Sequence, residues 1–315
     1  TIPVTSIDGT GDYDIDTGIG FLDHMLDQIA RFADGVLAPR AADLDETATF
    51  AACHLPAMAE MGLMGLNLPE EDGGLGLSGP ALYRAVELIA GACGSTASLL
   101  TAHYLATDSL HLGADADLRA RFLPRAAAGS LGAFALTEPQ AGSNPADMRT
   151  VARRDGAGYR LRGAKCFISN AGAADFMVVY AKTDPQAGAR GVSAFVVEPR
   201  GTDGITVAPA ERTMGLRGGY VFGVTFDDCF VPEENRIGAE GTGFRTAMKV
   251  LDNGRIEVAE VRGKRSHKGV VPFSKSSGMG CCISYRAKLP KGAYFYPQIM
   301  QVQQWNHGAH IGFES

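Results

Sequence analysis

The spacing of apolar residues changes twice along this chain, and that change limits the folds open to it. Phe21, Met25, Ile29, Phe32 and Val36 recur every three or four positions, the spacing of one helical face. Further helices are expected over residues 46–61, 79–112 and 115–128, the last two rich in Ala and Leu, with Gly129 as a stop. Beyond Leu131 short β runs take over: 133–136, 159–162, 165–168, 176–181, 192–197, 205–208 and 221–226, separated by Gly, Asp and Pro. Phe244, Ala247, Met248, Leu251, Arg255 and Val258 then restore helical spacing. The order predicts an α+β protein: a helical domain, an antiparallel β domain, and the first helix of a third domain.

Size and composition narrow the function classes. With 315 residues and 45% hydrophobic content, the chain can bury cores for two or three domains. It has no apolar run of membrane-spanning length and no charged start followed by an apolar signal core, so a soluble cytoplasmic location and no membrane partner are expected. A net charge of −6 gives no case for nucleic acid. Of six cysteines none forms a C-x-x-C pair; Cys53, Cys93, Cys166 and Cys229 stand in apolar surroundings as small hydrophobes, and disulfides are not implied.

Two segments carry the chemistry. One is Phe134-Ala135-Leu136-Thr137-Glu138-Pro139-Gln140-Ala141-Gly142-Ser143-Asn144, the other Lys165-Cys166-Phe167-Ile168-Ser169-Asn170. Each ends a short apolar run on a hydroxyl residue with small or polar residues close behind, so backbone amides and a side-chain oxygen can meet one flat polar ligand. Together with Asn67 to Gly76, Ala92 to Ala97, Met214-Gly215-Leu216-Arg217, Phe226-Asp227-Asp228 and Leu251-Asp252-Asn253-Gly254-Arg255, in this order, they resemble the FAD-dependent acyl-CoA dehydrogenases from about residue 29 to about residue 260.

That resemblance implies an N-terminal helical domain over 29–130, a flavin-binding β domain over 131–240 and the first helix of a C-terminal domain over 241–260. It implies an oxidoreductase of fatty acid metabolism, a flavoprotein whose cofactor is FAD and whose reaction is α,β-dehydrogenation of an acyl-CoA thioester. An electron-transfer flavoprotein would be the acceptor, and the family forms homo-oligomers. Phe134, Leu136, Thr137, Ser143, Phe167 and Ser169 match cofactor-binding positions, Thr137 and Ser169 as hydroxyls against the flavin, Phe167 as the aromatic over one face, Leu136 through its backbone. Ser95, Thr96, Ser143, Asp252 and Arg255 match substrate-binding positions, though Asp252 and Arg255 also suit a solvated i,i+3 ion pair. His103 is expected to be a satisfied or surface histidine.

Several positions depart from the family pattern. Asn144 replaces the usual Asp, Thr213 a common Lys, and Gly219, Val221 and Gly223 break the usual strand alternation. The catalytic base stands in the family on a C-terminal helical domain or at the position of Gly254; Glu257, three residues on, is the remaining candidate base. An incomplete dehydrogenase site is therefore expected, with a non-catalytic flavin-binding or packing module as the alternative.

The ends read differently. Ile7 to Leu26 resembles the opening of imidazoleglycerol-phosphate dehydratase, where His24 would belong to a metal centre, but no two histidines of this chain are adjacent to supply the other ligands. A fragment of that dehydratase of histidine biosynthesis is the rival reading of residues 1–28, and no metal is expected otherwise. Residues 261–315 hold eight Lys and Arg against one Glu, and Cys281 to Leu289 alternate at strand period, which reads as an unassigned basic β-rich tail. The chain is thus expected to be chimeric.

Overall fold

In a computed structural model of the protein, the described residues are 20–77 and 79–252. The expectations for residues 1–19, for the tail from 261, and for Arg255 and Glu257 lie outside the described residues.

Helices α1 (Gly20–Phe32) and α2 (Ala38–Glu46) are joined by a π-helical turn, Ala33–Leu37. Pro39 lies in the first turn of α2 and has no N–H to give; the wider turn before it absorbs the missing bond. Ile29 and Phe32 are buried as expected, but Leu22, Leu26, Ala33 and Leu37 complete the buried stripe and Val36 is 40% exposed.

The helix expected over 46–61 is broken. Ala48 takes a left-handed φ of 50° and Phe50 is extended, because the Phe50 ring stacks on Tyr220 at 5.0 Å and the Ala51 N–H bonds to the C=O of Gly218 at 2.9 Å. A 3₁₀ turn (Ala51–His54) then buries Ala51 and His54 and leaves Cys53 exposed, against its expected burial. Only α3 (Leu55–Glu60) remains α-helical there.

The helix expected over 79–112 is two, α4 (Gly79–Ala92) and α5 (Gly94–Gly113), broken at Cys93, whose φ and ψ are −147° and 103°. Helix α6 (Ala116–Ala127) starts on an Asp115 cap that accepts from the Leu118 N–H at 2.9 Å.

The strands are β1 (Gly132–Ala135), β2 (Val151–Asp155), β3 (Gly158–Ser169), β4 (Phe176–Lys182), β5 (Val192–Val197), β6 (Ile205–Val207), β7 (Val221–Pro232) and β8 (Arg236–Ile237). They form one sheet in the order β6-β7-β3-β2-β4-β5-β8, with β1 beside β4. Two expected runs, 159–162 and 165–168, are a single strand with register shifts, and β2 and β8 are additional. Most pairs are antiparallel as expected, but β1 pairs β4 in parallel, since the chain crosses over between them. A last helix, α7, covers residues 243–252.

Strands β4 and β5 are buried on both faces, which is why their sequence is almost wholly apolar, with Ser193 inside β5 and Lys182 at the end of β4. Phe176, Val178 and Tyr180 face α5 and α6 with Leu110, Phe122 and Leu123, whereas Met177 and Val179 face β3 and β7 with Leu161, Val224 and Phe226. Helix α5 lies against β1, where Gly132 permits the approach: a Cβ there would stand 2.7 Å from the Phe176 ring and 2.9 Å from Ala106 Cβ. The Tyr180 hydroxyl donates to Ser109 Oγ at 2.9 Å, tying the same helix to β4.

Candidate functional site

The C-terminal ends of β1 and β3 meet beside α5. The Cys166 N–H donates to the C=O of Thr137 at 3.0 Å, so Thr137 adjoins the stretch that ends at Ser169. Both hydroxyl residues are half-buried. Between them Phe167 takes a left-handed φ of 56° and is 66% exposed. A large ring held outward in that conformation costs energy, and such outliers gather at binding sites. Half-buried hydroxyls beside an outward ring fit a flat polar ligand such as an isoalloxazine.

The next residue closes the site from behind. Asn170, buried and at φ 68°, donates through Nδ2 to the C=O of Leu99 on α5 at 2.9 Å and to that of Gly132 at 3.3 Å. Its N–H reaches the C=O of Tyr220 at 3.2 Å. Asn170 thus joins α5, β1 and the loop before β7 at one point.

Over the first half of α5 the partly open positions are Gly94, Ser98, Thr101 and Ala102, a stripe of small residues that ends at Leu105. The loop 214–220 faces it: Leu216 Cδ2 would stand 2.7 Å from a Cβ on Gly94, and Ser98 lies 3.5 Å from a Cβ on Gly219. Leu216 is itself left-handed, at φ 53°. The loop is anchored at its other side by Arg217, whose N–H bonds to Asp45 Oδ1 at 2.8 Å, and by the Tyr220 hydroxyl, which donates to the C=O of Ala48 at 2.6 Å.

Other expected site residues stand elsewhere or are otherwise engaged. Phe134 is half-buried with its ring 5.2 Å from that of Tyr180, in the helix-facing core. The C=O of Leu136 is taken by Lys165 Nζ at 3.1 Å. Ser95 and Thr96 are buried on α5; Thr96 Oγ1 lies 2.8 Å from His54 Nδ1 and donates to Cys93 Sγ at 3.1 Å. Ser143 and Asn144 are exposed on the turn after β1, where Asn144 Nδ2 donates to Asp147 Oδ2 at 2.8 Å. Asp252 is exposed at the end of α7. His24 is exposed on α1, and among the described residues no group of three or more His, Cys, Asp or Glu could hold a metal ion.

A pair that sequence reasoning did not single out lies directly behind Thr137. Glu138 and Lys165 are 1% and 0% exposed and 2.8 Å apart. The Glu138 carboxylate also accepts from the N–H groups of Arg149 and Thr150 at 2.6 and 3.1 Å, and from Gln140 Nε2 at 2.6 Å. Burial alone would raise its pKa, but Lys165 and these donors hold it below the ordinary carboxylate range. Glu138, in the turn after β1, carries no periodic signal; only the Lys165 side chain falling on the inward face of β3 would have hinted at a partner.

Comparison with known proteins settles the family. The model "Acyl-CoA dehydrogenase, N-terminal domain" matches residues 22–130, and "Acyl-CoA dehydrogenase, middle domain" matches residues 133–229. The chain belongs to the acyl-CoA dehydrogenase family. Acryloyl-CoA reductase (NADH) of Anaerotignum propionicum is 40% identical over 238 residues, covering 74% of this chain and 60% of that protein. The structure of butyryl-CoA dehydrogenase from Megasphaera elsdenii superposes with a TM-score of 0.74 at 32% identity, over 79% of this chain and 66% of that one. PigA, in a structure with FAD and proline, superposes at 0.73 with 27% identity, over 79% of this chain and 65% of that one. The chain therefore spans about 60% of the length of the curated relatives it matches in sequence. Within the described residues, no helix is long and apolar enough to cross a membrane.

Proposed function

We propose that this chain is an FAD-dependent acyl-CoA dehydrogenase-like oxidoreductase, with the flavin held by the β domain and an acyl thioester admitted along α5. The observation that carries this reading is Phe167: an aromatic ring 66% exposed at a left-handed φ of 56°, one residue from the Cys166–Thr137 hydrogen bond. FAD, when bound, supplies a two-electron acceptor. The hydroxyls of Thr137 and Ser169 offer hydrogen bonds to the polar edge of its ring, and Phe167 covers a face.

The partly open face of α5 at Ser98, Thr101 and Ala102 is the surface along which an apolar chain would lie, bounded by the loop 214–220, which packs on Gly94. Asn170 fixes that helix against β1, so cofactor and acyl chain would meet at a set distance. No described residue is assigned as the base that removes the α proton; Gly254 and Glu257 lie outside the described residues. Ser143, Asp252 and Arg255 are assigned to the CoA portion, with an electron-transfer flavoprotein as the eventual acceptor.

Full-length chain mixed with FAD, then with butyryl-CoA without oxygen, tests this directly. Retained flavin absorbance that bleaches on adding the thioester supports the dehydrogenase. Flavin that never bleaches supports the non-catalytic module instead, and a chain that retains no flavin contradicts both.

A further inference from the structure

Thr137 sits between two residues held by one cation. Lys165 Nζ donates to the C=O of Leu136 at 3.1 Å and to Glu138 Oε1 at 2.8 Å, the neighbours of Thr137 on either side. The same lysine opens the irregular stretch of β3. Lys165 pairs with Val224 and Ile168 with Phe222, so three steps along β3 match two along β7, and Cys166 and Phe167 fall in the bulge. Because both Lys165 and Ile168 point inward, the bulge is what turns Phe167 out to solvent. Its remaining tie is the Cys166 N–H to the C=O of Thr137.

Stability alone does not explain this pair. Two apolar residues of similar volume fill a buried site as well as an ion pair does, and without the cost of stripping water from two charges. What they lack is directed donors. A bulge that is not pinned can slip by one residue, which would send Phe167 inward and Ile168 outward.

We propose that Lys165, seated on Glu138, is a positioning residue for the flavin site. It fixes Thr137 at the end of β1 and the Cys166–Phe167 bulge in one register, and Glu138 cancels its charge. The proposal rests on the reading that Thr137 and Phe167 contact flavin.

Two readouts on the full chain test it, FAD affinity by absorbance titration and, without flavin, the rate at which a thiol reagent labels Cys166, located by peptide mass. Both are taken well below the unfolding temperature. Lys165→Met removes every donor, and it is expected to weaken FAD binding at least ~10-fold and speed Cys166 labelling by a similar factor. Glu138→Gln keeps one acceptor for Lys165 but no longer cancels its charge, and both readouts are expected to lie between those of the parent and of Lys165→Met. Should Lys165→Met fail to fold, Lys165→Gln, which retains a donor, is judged on the same readouts and is expected to fall between the two. Parent-like affinity and labelling in the folded lysine variant, even with a lowered urea midpoint, would overturn the proposal and leave the pair a matter of stability. If the parent itself takes up no FAD, the flavin reading fails, and the labelling rates still decide whether Lys165 pins the bulge.

Discussion

His103 on α5 and Gly132 on β1 are joined by a hydrogen bond in which the Gly132 N–H donates to Nδ1 at 2.9 Å. Nδ1 therefore carries no proton, and Nε2, 3.0 Å from the C=O of Met64, donates. The ring is wholly buried and neutral, a satisfied core histidine at the seam between helices and sheet. Burial pulls its pKa down from 6.5 to about 4, against the Met64 bond and Asp175, which act upward. Stability from this neutral ring is present above pH 6.5 and lost as pH falls toward 4.

Asp108, on the same helix, acts in the opposite sense. Burial raises its pKa from 3.8 to about 6, against the Asn67 hydrogen bond and His111. Its contribution is full below pH 3.8 and is lost as pH rises through 6. On acidification from about pH 7.5 to about pH 5 the His103 contribution falls and that of Asp108 grows, so the two oppose each other. Over this range the pH dependence of the parent's urea midpoint should lie between those of Asp108→Asn and His103→Gln, with His54, also lowered by burial, adding a loss on acidification common to all three. Relative to the parent, Asp108→Asn should become less stable on acidification and His103→Gln more stable; matching slopes in all three proteins would mean that neither group titrates as described.

Gly132 allows α5 to pack on β1. Gly132→Ala would drive a methyl to 2.7 Å from the Phe176 ring, and overpacking of this kind costs about 1–3 kcal/mol. Phe176→Leu in the same chain should recover part of that loss, although alone it destabilises by leaving a cavity. Equilibrium denaturation of the two single variants and the double gives the coupling; strict additivity would refute the contact.

Phe167 separates function from stability. Because its ring is largely exposed and its backbone left-handed, Phe167→Ala should change stability by no more than about 0.5 kcal/mol. Phe167→Gly should be more stable than the alanine variant by roughly 1 kcal/mol, since glycine adopts that φ freely. Both should lose FAD affinity alike. A ring that served the core would instead show a large drop in stability for both.

The order helix, sheet, helix is legible in the sequence because burial on one face imposes a period, and the motif around Thr137 and Phe167 is legible because it is contiguous. What escapes is set by contacts distant in sequence. Cys93 interrupts what reads as one helix, and Phe50 leaves the helix to stack on Tyr220. Strand β2, Val-Ala-Arg-Arg-Asp, has too few apolar residues to announce itself, yet it pairs with β3 along its whole length. The parallel pairing of β1 and β4 depends on the path of the chain between them. Glu138 and Lys165 lie 27 residues apart, and nothing local to Glu138 shows that it is buried.

The central claim is that Thr137 and Ser169 together hold a flavin, and FAD titration of the parent against the Thr137→Val, Ser169→Ala double variant tests it most directly. Unfolding free energies of the two from urea denaturation should agree within about 1 kcal/mol, while the double variant binds FAD at least ~10-fold more weakly. Equal FAD affinity in two equally folded proteins would contradict the account.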